Sequence, residues 1–366
     1  MIEYENLALL NKPFEDDFNA SFKQFLTSGW YILGEQVKLF ETSFANYLGS
    51  KYCVGVASGL DALFLSLLAL ELPRNSEVIV PSNTYIATIL AIINAGLRPV
   101  LVEPDISTYN INPDKIEQAV TSATSAIMVV HLYGKTCQMD KIKDIAECHQ
   151  LKIIEDCAQS HGSMLNSQKS GTFGDCGAFS FYPTKNLGAL GDAGAIVTNN
   201  QAVYNKLLQL RNYGSSIKYI NEIIGYNSRL DELQAGFLSI KLKSLDKINQ
   251  HKRELSQIYF KKLNSNIILP IEQPGFYDVY HIFNIRTQYR DELRQYLMNN
   301  GIKTEIHYPI PPNRQQAMTN MWNDTYPIAE EIHNTTLSLP LSYCHNKEDI
   351  FTVCDTINRF FEDKQA

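Results

Sequence analysis

The sequence holds no apolar run near the roughly 18 residues that a membrane-spanning helix needs. Its longest candidates, ALFLSLLALEL and TILAIINAGL, stop short. The opening MIEYENLALLNKPFEDD is acidic and lacks the basic-then-apolar order of a secretory signal, so a cytoplasmic protein is expected. No basic tract interrupts a chain of net charge −7, which speaks against a nucleic-acid partner. Seven cysteines are widely spaced without any C-x-x-C pair, which supports neither a zinc site nor a disulfide framework. They are expected to be mostly small core residues. The eight histidines include no H-E-x-x-H, so no metal is expected. No G-x-G-x-x-G follows a strand, which sets aside a nicotinamide oxidoreductase. Internal repeats and low-complexity linkers are also missing.

What is present is a soluble globular composition, 45% hydrophobic and 19% charged over 366 residues. Segments 77–82, 98–105, 126–134, 151–159, 177–183 and 194–199 read as strands, nearly continuous in apolar content as strands covered on both faces should be. Between them DALFLSLLAL, YIATILAIINAG, DKIEQAVTS and MDKIKDIAECHQ carry helical spacing. This alternation predicts an α/β domain around a largely parallel sheet, with ligands at the carboxyl ends of the strands. From about Lys243 the pattern changes to a smaller α+β unit closed by the amphipathic EDIFTVCDTINRFFEDK. The expected division is 1–242 and 243–366.

Three local features could carry chemistry. Ser58 and Asp61 have capping-box spacing ahead of a helix, whose free N–H groups and dipole suit a phosphate. Glu155 and Asp156 close an apolar strand, and only one of them can face a given side of the sheet. Lys185 is the only charge between Ser180 and Gly191, after another strand end. Partly apolar surroundings would lower its pKa and let it form a Schiff base. Alone, these are a capped helix, a solvated acid pair and an ordinary lysine. Together they meet the needs of pyridoxal 5′-phosphate: an anion site, a carboxylate for the ring nitrogen and a lysine for the aldehyde. Tyr85, opening the helix after VIVPSNT, offers a ring to stack on the cofactor.

The ordered motifs GWYILG…FE (29–41), ASGLDAL (57–63), VPSNTYIAT (80–88), VHLYG (130–134), EDCAQSHG (155–162), SFYPTKNLGALGDAG (180–194), RNYGSS (211–216), GYNSRLDELQAG (225–236) and IHYPIPP (306–312) extend over nearly the whole chain. In them the sequence resembles the sugar-nucleotide aminotransferases, fold type I pyridoxal-phosphate enzymes related to aspartate aminotransferase. The resemblance implies an α/β large domain, with a mostly parallel sheet of seven strands flanked by helices, and a smaller C-terminal α+β domain. It makes Lys185 the Schiff-base lysine and proton carrier, Asp156 the partner of the ring nitrogen and Gln159 the contact of the ring hydroxyl. Tyr85 would stack on the ring. Ser58, Gly59, Leu60 and Ser180 would hold the phosphate, with Asn227 reaching the phosphate of a neighbouring subunit in a homodimer. Tyr182, Lys218, His307 and Tyr308 resemble substrate-side positions, while Arg229 is either one of these or an interface residue. His131 and His161 are expected to be structural. Leu60 stands where many relatives have Thr or Ser, and Asn313 where many have histidine.

The S/N-GLDAL form is similar to the subgroup acting at sugar carbon 3. Relatives with histidine in place of Lys185 are dehydratases, so the lysine favours transamination. The expected reaction takes nitrogen from L-glutamate to a dTDP-linked 3-keto-6-deoxyhexose and yields a 3-amino-3,6-dideoxyhexose, for a surface polysaccharide or a glycosylated metabolite. The rivals are the same chemistry on a 4-keto-6-deoxyhexose, as in perosamine-type pathways, and a regulator that binds the cofactor without turnover.

Overall fold

The computed structural model describes residues 1–264 and 266–365. Its central sheet has seven strands: β1 (Tyr52–Val56), β2 (Glu77–Pro81), β3 (Arg98–Val102), β4 (Thr124–Val130), β5 (Lys152–Asp156), β6 (Cys176–Ser180) and β7 (Gly194–Thr198). They lie in the order β1-β7-β6-β5-β4-β2-β3. Only β7 runs against its two neighbours, and the other adjacent pairs are parallel.

The continuous apolar runs follow from this architecture. Along β4, Ala126 and Met128 enter one core with Val78, Val80 and Ile154, packed by the helices Gly59–Ala69 and Ile86–Asn94. The alternate residues Ile127 and Val129 enter another, with Ile79, Ile153 and Ile142 of the helix Met139–His149. Both faces are therefore dry, and a polar residue on either would lose its water.

The six strands read from sequence are all present, but each ends earlier than expected. The strand expected over 151–159 stops at Asp156, and that over 177–183 stops at Ser180. Just beyond these ends Ala158, Gln159 and Tyr182 line a cavity, while Cys157 and Phe181 pack into a core. A seventh strand, Tyr52–Val56, had no clear signal because Gly55 interrupts a short YCVGV run.

A separate apolar cluster includes Leu255, Tyr259, Phe283, Leu293, Leu337 and Ile357. It sits among the helices Leu245–Lys262, Arg290–Asn299 and Lys347–Gln365 and the antiparallel pair Phe283–Arg286 and Thr336–Leu339. Ile2 bridges Ile302 and packs against the same cluster, so the first residues join the C-terminal part. The segment KTEIHYP (303–309) makes one bridge from Glu305 to Ser338 and no strand. Five of the seven cysteines are buried, and all seven are free thiols. Among the described residues no helix is long and apolar enough to cross a membrane.

Candidate active site

The carboxyl ends of the strands open into a cavity of about 760 Å³. Ser58, Gly59, Leu60, Tyr85, Asp156, Gln159, Ser180, Tyr182, Lys185, His307 and Tyr308 all line it. Those from Ser58 to Lys185 meet because parallel strands point their carboxyl ends the same way, and His307 and Tyr308 join them from the C-terminal part.

One end of the cavity is the start of the helix Gly59–Ala69. Ser58 caps it, its Oγ accepting from the Asp61 amide at 3.1 Å. The reciprocal half of a capping box is not made, since the Asp61 carboxylate accepts from Ser228 Oγ at 2.6 Å. Gly59 lies against Ser180 so closely that a Cβ there would sit 2.5 Å from the serine Cβ. A Cβ on Gly194 would come within 2.3 Å of the Ser58 carbonyl oxygen. These two glycines let the Ser58 turn and Ser180 close into one cradle, which suits a phosphate at a helix N-terminus.

At the sheet end, Asp156 is nearly fully buried. Its Oδ2 accepts from Thr88 Oγ1 at 2.9 Å and its Oδ1 from the Ala158 amide at 3.1 Å. Burial raises its pKa, against the pull of those two donors and of Lys185. A cationic ring nitrogen would offset that burial, which is what a pyridinium requires of its partner. Glu155 points the other way. Its oxygens accept from the amides of Gly171, Phe173 and Gly174 at 2.7–2.8 Å and meet His131 Nε2 at 2.9 Å. His131 Nδ1 accepts from the Cys137 amide at 3.0 Å, so Nε2 carries the ring proton and donates to Glu155. Both residues are structural.

Lys185 stands between these ends, its pKa pushed down to about 8 by burial, with Asp156 acting in the opposite sense. A phosphate cradle, a buried carboxylate and a lysine near neutrality share one cavity, and this donor set fits pyridoxal phosphate.

The wall opposite is aromatic. Tyr85, 52% exposed, has its ring 5.0 Å from that of Tyr308. Gln159 is held from both sides, its Oε1 accepting from the Tyr133 amide at 2.6 Å and its Nε2 donating to Tyr308 Oη at 2.8 Å. Tyr133 donates its hydroxyl to the His307 carbonyl, and His307 Nδ1 meets Ser338 Oγ at 2.9 Å. His333 Nδ1 lies 2.6 Å from the Tyr308 carbonyl and donates to it. Burial lowers the His333 pKa to about 4, and burial with nearby Lys185 lowers that of His161 to about 3. His161 is fully buried beside the rings of Phe179 and Phe181, in keeping with a structural role. Both histidines stay neutral in the folded chain and protonate near 6.5 when unfolded. Stability is therefore full above pH 6.5 and falls below it by up to about 1.4 kcal/mol per pH unit for each ring. Urea unfolding followed from pH 7 to 5 should show this loss, and a flat midpoint would contradict it.

Three residues expected at the site lie outside the cavity. Asn227 is exposed and bridges Asn212. Lys218 rests its Nζ 5.0 Å from the Tyr219 ring centroid, on a hairpin whose tip is open to solvent. Arg229 Nη1 donates to Asn212 Oδ1 at 3.1 Å. Sequence reasoning missed His281, Thr88 and Tyr133. Thr88 was readable as one helical turn beyond Tyr85. His281, in a run of apolar residues far along the chain, carried no local signal.

This arrangement defines a pyridoxal-phosphate enzyme, and comparison with known proteins agrees. Residues 13–358 match the DegT/DnrJ/EryC1/StrS aminotransferase family, and the chain belongs to that family. It is a pyridoxal-phosphate-dependent aminotransferase. More particularly, it is 50% identical to a dTDP-3-amino-3,6-dideoxy-alpha-D-galactopyranose transaminase of Aneurinibacillus thermoaerophilus, covering 98% of this chain and 99% of the relative. It superposes with a TM-score of 0.95 on DesV of S. venezuelae, solved with a ketimine intermediate, at 40% identity and 97% coverage of both chains. It superposes with a TM-score of 0.87 on ntda of Bacillus subtilis, solved with bound PMP, at 30% identity over 95% of this chain and 83% of the other.

Proposed function

We propose that the protein transfers the amino group of L-glutamate to a dTDP-linked 3-keto-6-deoxyhexose, giving a dTDP-3-amino-3,6-dideoxyhexose. The observation that carries this reading is the meeting of Lys185, Asp156 and the glycine-tightened cradle in one cavity. The choice of sugar is supported by the full-length likeness to a transaminase named for that class of product.

Bound pyridoxal phosphate supplies an electron sink for the reacting carbon. The chain's own residues do the rest. Ser58, Gly59, Leu60 and Ser180 hold the phosphate, chiefly through backbone amides, since Leu60 brings no hydroxyl. Asp156 keeps the ring nitrogen charged, Gln159 meets the ring hydroxyl and Tyr85 covers the ring face. Lys185 would hold the cofactor through its amine and carry the proton in both halves of the exchange. Tyr182, His307 and Tyr308 face the sugar.

Asn227, Lys218 and Arg229 act on this reading in a homodimer, with Asn227 completing the neighbour's phosphate site. A partner surface is supported by exposed apolar side chains on two segments. One carries Phe22, Leu26, Trp30 and Tyr31, and the other Ile217, Tyr219, Ile220 and Ile224, the last 88% exposed. Such a set on a soluble chain calls for cover. A division into a cofactor-binding domain (1–242) and a C-terminal domain (243–366) is supported by the break between the helix Glu232–Leu242 and the helix beginning at Leu245, with the first residues packing on the C-terminal part. Free thiols throughout fit a cytoplasmic location.

The test is incubation with glutamate and either the 3-keto or the 4-keto sugar nucleotide, with product stereochemistry read by NMR. Amine at carbon 3 supports the proposal. Amine only at carbon 4 overturns the choice of sugar. Failure of glutamate to change the cofactor's absorbance overturns its role as donor.

A further inference from the structure

From Lys185 a line of polar side chains runs from the cavity wall, which includes His281, into the protein. Lys185 Nζ stands 3.5 Å from His281 Nε2, and His281 Nδ1 stands 3.3 Å from Asn186 Oδ1. The amide of Asn186 is fixed from its other side. Its Nδ2 donates to Asn249 Oδ1 at 2.8 Å and to the Val279 carbonyl at 3.1 Å, which turns its oxygen toward His281. The same oxygen accepts from Lys252 Nζ at 3.0 Å, and Lys252 donates also to the His281 carbonyl at 3.0 Å.

An amide oxygen can only accept, so His281 Nδ1 carries the ring proton and Nε2 presents its lone pair to Lys185. We infer that His281 is a positioning residue for the reaction: its Nε2 accepts an N–H of the free Lys185 amine and so fixes the direction of the amine lone pair. The inference rests on the reading of Lys185 as the cofactor lysine and proton carrier. Burial holds the His281 pKa well below its ordinary value, and the charges and rings facing it (Lys185, Lys252, His307 and His161) act the same way. The imidazole therefore remains a neutral acceptor at working pH. Lys252 has a part in this. It is buried, and its ammonium pins both Asn186 and the His281 backbone.

The test reads Lys185 directly. In the cofactor-free full-length chain, the rate of Lys185 acylation is followed against pH by peptide mass spectrometry in the wild type, His281→Gln and His281→Leu. A hydrogen bond to the ammonium form raises its pKa, so loss of the acceptor in His281→Leu should lower the midpoint by about one pH unit. His281→Gln, whose side-chain oxygen takes the place of Nε2, should restore it. Equal midpoints in all three would overturn the inference. Should the leucine variant not fold, 15N NMR of histidine-labelled wild type, assigned against His281→Gln, decides the matter: a proton on Nε2 overturns it, and a bare Nε2 supports it. Borohydride reduction of the cofactor-loaded wild type separates this test from the reading beneath it. An adduct on Lys185 with equal midpoints defeats the positioning role alone, whereas no adduct on Lys185 defeats the underlying reading.

Discussion

Replacing Lys185 with alanine is expected to slow the glutamate half-reaction by about four orders of magnitude, the upper range for removal of a positioned proton carrier. Burial has already brought this amine to about 8, where it holds and releases a proton on comparable terms. Lys185→Arg should be as inactive as Lys185→Ala, because a guanidinium keeps the charge and cannot give up its proton. The pair of variants thus separates charge from proton transfer. In the wild type, a rate that needs the free amine rises as pH passes through about 8 and levels off above it. Stopped-flow absorbance in single turnovers checks all three statements. Near-normal turnover in Lys185→Arg would remove the lysine from the chemistry.

The second large effect belongs to Asp156. Asn at this position keeps the shape and can still meet Thr88 Oγ1 and the Ala158 amide, but it brings no charge to the ring nitrogen. The glutamate half-reaction is expected to fall about 10³-fold, comparable to removal of one preorganised electrostatic group. Lys185 is untouched in this variant, so the cofactor should still be trapped on it by borohydride. Retained trapping with lost rate is the expected signature. Retained rate would show that the ring does not need this carboxylate.

Much of the site was readable because its parts sit at strand ends, where an apolar run stops and a polar residue follows. Asp156 and Lys185 announce themselves in this way, whereas Ser180 was named through resemblance. The fold was legible for the same reason: strands dry on both faces are long apolar words between helical ones. What could not be read depended on contacts distant in sequence. Asp61 has the spacing to complete a capping box, yet its carboxylate goes to Ser228, which folding alone brings near. His281 reaches Lys185 across 96 positions of sequence, with no local pattern to mark it. Lys218, Asn227 and Arg229 were named through resemblance, and a single chain leaves them outside the cavity.

The saturated carboxylate of Glu155 bears on how β5 finds its place. Four hydrogen bonds from three loop amides and one imidazole can form only when this side chain faces away from the cavity. A slip of one residue along β4 that put Asp156 into that nest of amides would drive Glu155 into the dry place of Ile154, with every apolar neighbour inverted as well. The nest thus acts as an alignment pin during assembly of the sheet, and the acid left over is the one free to meet a cation.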